Sequence, residues 1–151
     1  MKADETISFF FSLLAVIISC GGLFYVIQQV RLLKRQLQVD FKSRAAAVNR
    51  ELLGLAFNNP ELFLLFEDKP LQSKSKQRHY IQMWLNHISL MWDARQQKLL
   101  SDAEWYSDTK DIADFFSIEI VRTHWEEVKS FYPPDFVGFI STLKRGRPES
   151  T

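Results

Sequence analysis

A run of 21 residues without a charge or a proline, ISFFFSLLAVIISCGGLFYVI at 7–27, constrains this chain more than any other feature. At about 1.5 Å per residue it makes a helix of roughly 31 Å, the thickness of a bilayer's hydrocarbon core. The run therefore predicts one membrane-spanning helix. Two other uses of such a run give poorer fits. A cleaved secretory signal wants a basic n-region and a small-residue cleavage site, whereas Lys2 here stands against Asp4 and Glu5 and no A-x-A follows. Ile17-Ile18-Ser19-Cys20 resembles a lipobox, but the apolar run continues through Gly21 and Gly22 to Ile27, where a mature lipoprotein turns polar.

Charge around the run gives an orientation. The segment 1–6 holds one lysine and two acids, while Arg31, Lys34, Arg35, Lys42, Arg44 and Arg50 follow the span. Basic flanks stay on the cytoplasmic side, so the sequence predicts residues 1–6 outside the inner membrane and everything after the span in the cytoplasm. Arg31, Lys34 and Arg35 are assigned to the anionic headgroups. A single cysteine, Cys20, fits a reducing compartment with no disulfide framework. Within the span Ser8, Ser12, Ala15, Ser19 and Gly22 recur at spacings of 4, 3, 4 and 3. Small residues at that period let two backbones approach in lipid and make this a candidate packing face; chance is the competing explanation.

Past the span the helix has no reason to stop. Residues 28–57 contain no proline, and Val30, Leu33, Leu37, Phe41, Ala45, Val48, Leu52 and Leu55 form one helical stripe. The stripe can dock on the chain's own C-terminal helices or on copies of itself; it is not a clean heptad, so a long coiled coil is the weaker option. The expected organisation is a span at 7–27, a basic stalk at 28–57, a cytoplasmic helical domain at 58–143 and a flexible tail at 144–151. Within the domain, Asn59 and Pro60 start a short apolar helix with Asn59 as cap, and 71–76 is a polar loop. A central helix over 77–100 buries Ile81, Trp84, Leu85, Ile88, Met91, Trp92 and Leu99. Ser101 and Glu104 form a capping box that opens a helix to about residue 116. Ser117 caps the next helix, which buries Val121, Trp125 and Val128. Pro133 and Pro134 force a turn into a last short helix. No stretch alternates at period two, so the fold class is all-α: one transmembrane helix continuing into a long stalk helix, then a compact bundle of four or five helices.

The order of these features also carries a resemblance. Asn59-Pro60-Glu61-Leu62 follows the stalk, Trp84 and His87 share one helix, Leu100-Ser101 precedes Glu104-Trp105, and Trp125 leads to Phe131, the two prolines and Phe136-Val137. This pattern resembles a group of uncharacterised bacterial proteins with a single membrane anchor and a helical domain of unknown function. The resemblance implies a bacterial origin and an anchored all-helical domain. It supplies no activity and no catalytic residues.

The search for chemistry returns little. The net charge is +1, with +4 over 28–57, +4 over 71–100 and −5 over 101–130. The acidic block reads as solvated helix faces. Of the three histidines, none pairs with another at metal-ligand spacing, so no metal or cofactor is expected. His87, three residues after Trp84, reads first as a hydrogen-bonded histidine at the core's edge and second as a weak candidate site. His124, beside Glu126 and Glu127, reads as an exposed face. The intervals Arg78 to His87 and Arg122 to His124 do not match the pairing used by small membrane-associated RNases of phage defence. No phosphate-binding glycine loop and no nucleophile elbow occurs. The tryptophans fall at core spacing, which argues against both a nucleic-acid surface and a ligand pocket. The leading expectation is thus a non-enzymatic, membrane-anchored module that presents a helical domain to a protein partner. The second is a homo-oligomeric pore or membrane effector, with phage defence as one setting. The third is a ligand sensor or enzyme with a site near His87.

Overall fold

The computed structural model describes residues 3–145. Residues 1–2 and 146–151, which fall in the expected N-terminal segment and tail, lie outside the described residues. The described chain is helical with no strand: α1 (Ala3–Asn58), a 3-10 helix (Pro60–Leu65), α2 (Lys74–Gln96), α3 (Asp102–Phe115), α4 (Glu119–Val128), a 3-10 turn (Lys129–Phe131) and α5 (Pro134–Arg145). The all-α expectation is met. The chain divides after Asp40 into two units.

The first unit is the N-terminal part of α1. Among the described residues one helix is long and apolar enough to cross a membrane, and it is this one. Its twelve Leu, Ile, Phe and Val side chains between residues 8 and 27 are 42–69 % exposed. Two hydroxyls among them bond within the helix: Ser12 Oγ donates to the Ser8 carbonyl at 3.0 Å, and Ser19 Oγ to the Ala15 carbonyl at 2.8 Å. That is the arrangement a hydroxyl needs where no water is at hand.

The second unit begins at Phe41. Here the stripe read from the sequence does dock: Ala45, Leu52 and Ala56 are buried, with Phe41, Val48 and Leu55 half-buried. Tyr80 of α2 donates its hydroxyl to the Leu52 carbonyl at 3.0 Å, fixing α2 against α1. The core gathers Leu62, Leu65, Ile81, Leu85, Ile112, Phe116, Val121, Trp125, Phe136 and Ile140. Trp125 is its largest fully buried side chain and lies 5.2–5.8 Å, ring to ring, from Phe116, Tyr132 and Phe136.

Several local expectations are corrected. The segment after Pro60 is a 3-10 helix rather than an α-helix, and Asn59 does not cap it; its Nδ2 donates back to the Leu55 carbonyl at 3.0 Å, closing α1. Helix α2 starts three residues earlier than expected because Ser73 accepts from the Lys76 amide. It stops at Gln96, where Lys98 takes a left-handed φ of 57° and the Leu99 and Lys98 amides reach the Ala94 and Arg95 carbonyls. These two bonds form a Schellman closure, a position that glycine usually fills. The capping box of Ser101 and Glu104 is present as expected.

Ser117 does not cap α4. Its hydroxyl donates to the Asp114 carbonyl at 2.6 Å. The free first-turn amide of Ile120 instead donates to Asp68 Oδ1 at 3.2 Å, from a residue held at φ 56° just past the 3-10 helix. Asp68 thus caps α4 from a distant part of the chain. Losing a cap costs about 1 kcal/mol, so Asp68→Ala should lower stability by that amount in urea unfolding. Asp68→Asn, which keeps the acceptor, should lose less.

Candidate functional site

The expected packing face of the span, Ser8, Ser12, Ala15, Ser19 and Gly22, lies exposed along one side of α1. A Cβ placed on Gly21 or Gly22 would meet nothing within 4 Å. Arg31, Lys34 and Arg35 are likewise exposed on the same helix.

Trp84 and His87 meet as expected for neighbours on α2, with ring centroids 6.1 Å apart at 75°. Both are half-buried, and Trp84 also leans on Phe115 at 5.9 Å. They border a cleft of about 360 Å³, whose other walls come from Phe41, Ala45, Asn49, Glu104 and Asp108 among others. The expectation that His87 is hydrogen-bonded fails: its Nδ1 is shielded from solvent and has no partner, and the same holds for Trp84 Nε1. Burial raises the pKa of the neighbouring Tyr80 phenol, and the Trp84 indole offsets part of that. Burial pushes the His87 pKa below the ordinary value of 6.5. The imidazole is therefore neutral at pH 7, its ring packed edge-on to Trp84.

Opposite, the carboxylates are of two kinds. Glu104 is held down at about 2 by the Lys42 ammonium, 2.6 Å away, and by the Ser101 hydroxyl and amide. Asp108 is raised by burial first, then by the charges of Asp111 and Glu104. Nothing here combines a nucleophile with an oriented base, and among the described residues no three His, Cys, Asp or Glu side chains gather as a metal would require.

His124 is not on an exposed face. It is buried, and its Nε2 lies 3.3 Å from Gln82 Oε1. An N–H on Nε2 donating to that amide oxygen leaves Nδ1 bare, 3.7 Å from Glu127 Oε2. The Gln82 amide nitrogen in turn donates to Asn86 Oδ1 at 3.0 Å and to the Tyr132 oxygen at 2.7 Å, and Tyr132 donates to Asn86 at 2.9 Å. This polar network tying α2 to α4 and to the segment before α5 was absent from the sequence reading. Its signal was Gln82 and Asn86, one turn apart and each next to a core position.

Both shifted histidines make a pH prediction. Burial lowers His87, and burial outweighs the Glu127 charge in lowering His124. Below about 6.5 the unfolded chain binds protons that the folded chain refuses, so stability falls with pH there and is regained above it. The melting temperature should drop between pH 7.5 and about 5.5, and His87→Asn with His124→Asn should flatten that slope. Asp108 acts with the opposite sign, but closer to the ordinary carboxylate range.

A different surface stands out by its exposure. Phe57 is 71 % exposed and packs edge-on to Phe63 at 5.4 Å, which continues to Phe66 at 6.4 Å. Leu53 flanks this ridge, and Phe66 leads into an apolar groove of about 470 Å³ bordered by Ile88, Phe115 and Ile118. The three rings are exposed and in contact, and they form an open apolar ridge on this unit.

Neither a curated protein nor a solved structure matches the chain. A family model does, over residues 5–131. The chain belongs to that family, the family of unknown function DUF6082.

Proposed function

We propose that this protein is a single-span membrane protein that presents its helical unit to a protein partner on the cytoplasmic side and works by contact rather than by catalysis. The observation that carries this reading is the uncovered apolar length of α1. On an insertion scale of about −0.3 to −0.6 kcal/mol per Leu, Ile, Phe or Val, its twelve such residues favour the bilayer by roughly 4–7 kcal/mol. The basic residues after the span, against two acids before it, support a cytoplasmic C-terminus.

The contact role is supported by the exposed ridge of Phe57, Phe63 and Phe66. A photoreactive residue in place of Phe57, in intact cells, should yield a discrete adduct that Phe63→Asp abolishes. No adduct at Phe57 would remove the contact reading. An enzymatic or sensing role for the cleft would instead require His87→Ala to abolish function while leaving the melting temperature unchanged. A reporter fused after Thr151 should be active only in the cytoplasm; activity outside would reverse the orientation.

A further inference from the structure

From the last turns of the span to Leu37, the apolar side chains along one face of α1 are exposed. Leu23, Val26, Val30, Leu33 and Leu37 step by 3, 4, 3 and 4, the alternation of a coiled-coil seam, and all five are 52–64 % exposed. Lipid can cover only the first two. If residues 7–27 fill the hydrocarbon, Leu37 lies about 15 Å past it along the helix, beyond a headgroup layer of about 5–8 Å.

We infer that this segment pairs with the same segment of a second copy, as a parallel in-register coiled coil over residues 23–37. The inference rests on the membrane-anchor reading, because two copies entering the bilayer from the same end can meet only in parallel.

The charges are arranged for this partner. With Val30 and Leu37 at a positions and Leu33 at d, Arg31 and Arg35 fall at b and f, on the outside. The flanking e and g positions hold Gln29, Lys34 and Gln36, so Lys34 faces Gln29 of the second copy and no like charges oppose. Val30 at a with Leu33 at d is a layer that favours two strands, while Leu23 at a with Val26 at d, inside the span, is the reverse arrangement. Continued back into the span, the same register puts Ser12 and Ser19 at d, with Ala15 and Gly22 beside them, where small side chains let the helices stay close. Forward, Asp40 occupies the next d position and ends the seam. That is why the longer stripe down to Leu55 is not a heptad.

Cysteine cross-linking in native membranes tests this. In a full-length Cys20→Ser background, single variants Val30→Cys, Leu33→Cys and Leu37→Cys are compared with Leu32→Cys, Arg35→Cys and Val39→Cys under a mild oxidant. A disulfide needs Cβ atoms about 3.5–4.5 Å apart, a spacing reached only along a seam. The disulfide-linked dimer should be several-fold more abundant at 30, 33 and 37 than at 32, 35 and 39. A flat profile, a maximum at 32 and 39, or no dimer at any position would overturn the inference. The same membranes are washed in alkaline carbonate. Retention without seam periodicity leaves the anchor standing and removes the pairing. Release with the periodicity intact removes the anchor and leaves the pairing.

Discussion

Trp125→Ala is expected to remove about 3–5 kcal/mol of stability, the range for deleting a fully buried large aromatic. The indole is 1 % exposed and is surrounded by Phe116, Tyr132 and Phe136. Those three rings come from the end of α3, the turn before α5 and α5 itself. None can follow a shrinking neighbour without giving up its own contacts, so the site collapses poorly. Against a total of about 5–15 kcal/mol for an ordinary domain, the variant is left close to unfolding. The expected fall in melting temperature is roughly 10–25 °C for a unit of this size, read by circular dichroism on the full chain in detergent. Trp125→Phe should recover part of the loss. A shift of only a degree or two for the alanine variant would mean that Trp125 is not where this unit's stability resides.

The second large effect concerns location. Ile17→Arg with Ile18→Arg places two guanidinium groups near the middle of the apolar run. Each costs about 2.5–3.5 kcal/mol at a helix centre. With the lost isoleucines, the total is roughly 6–8 kcal/mol, enough to cancel the roughly 4–7 kcal/mol that favours insertion. The doubly substituted protein should move from the membrane fraction to the soluble fraction or be degraded. Ile17→Leu with Ile18→Leu should behave like the original. Undiminished membrane retention of the arginine pair would show that something other than lipid burial of this run holds the protein.

What was legible in the sequence was local and periodic. Ser101 and Glu104 lie three residues apart and satisfy each other's backbone, so the capping box needed no knowledge of the rest of the fold. The stripe from Ala45 to Leu55 was visible because burial on one helix face repeats every three or four residues, though it missed the buried Ala56. The α4 cap was not legible: Asp68 and Ile120 are far apart in sequence, and only tertiary structure brings them together. Ser117, adjacent to the helix start, was the natural local candidate and found another acceptor.

His124 was misread for a different reason. Its position, three residues after Val121 and beside Trp125, is that of the buried face. The neighbouring glutamates suggest an exposed face, but they point away from the core on the same helix. The unpaired nitrogens of Trp84 and His87 had no sequence signature at all. Whether a half-buried polar atom finds a partner depends on side chains contributed by other helices.

The central claim is that the apolar run of α1 is a permanent bilayer anchor. Alkaline carbonate extraction of membranes carrying the full-length chain tests it most directly, because it strips proteins held by contacts at the surface and leaves those held by hydrocarbon. The full-length protein should stay in the pelleted membranes. Its appearance in the carbonate supernatant would contradict the claim.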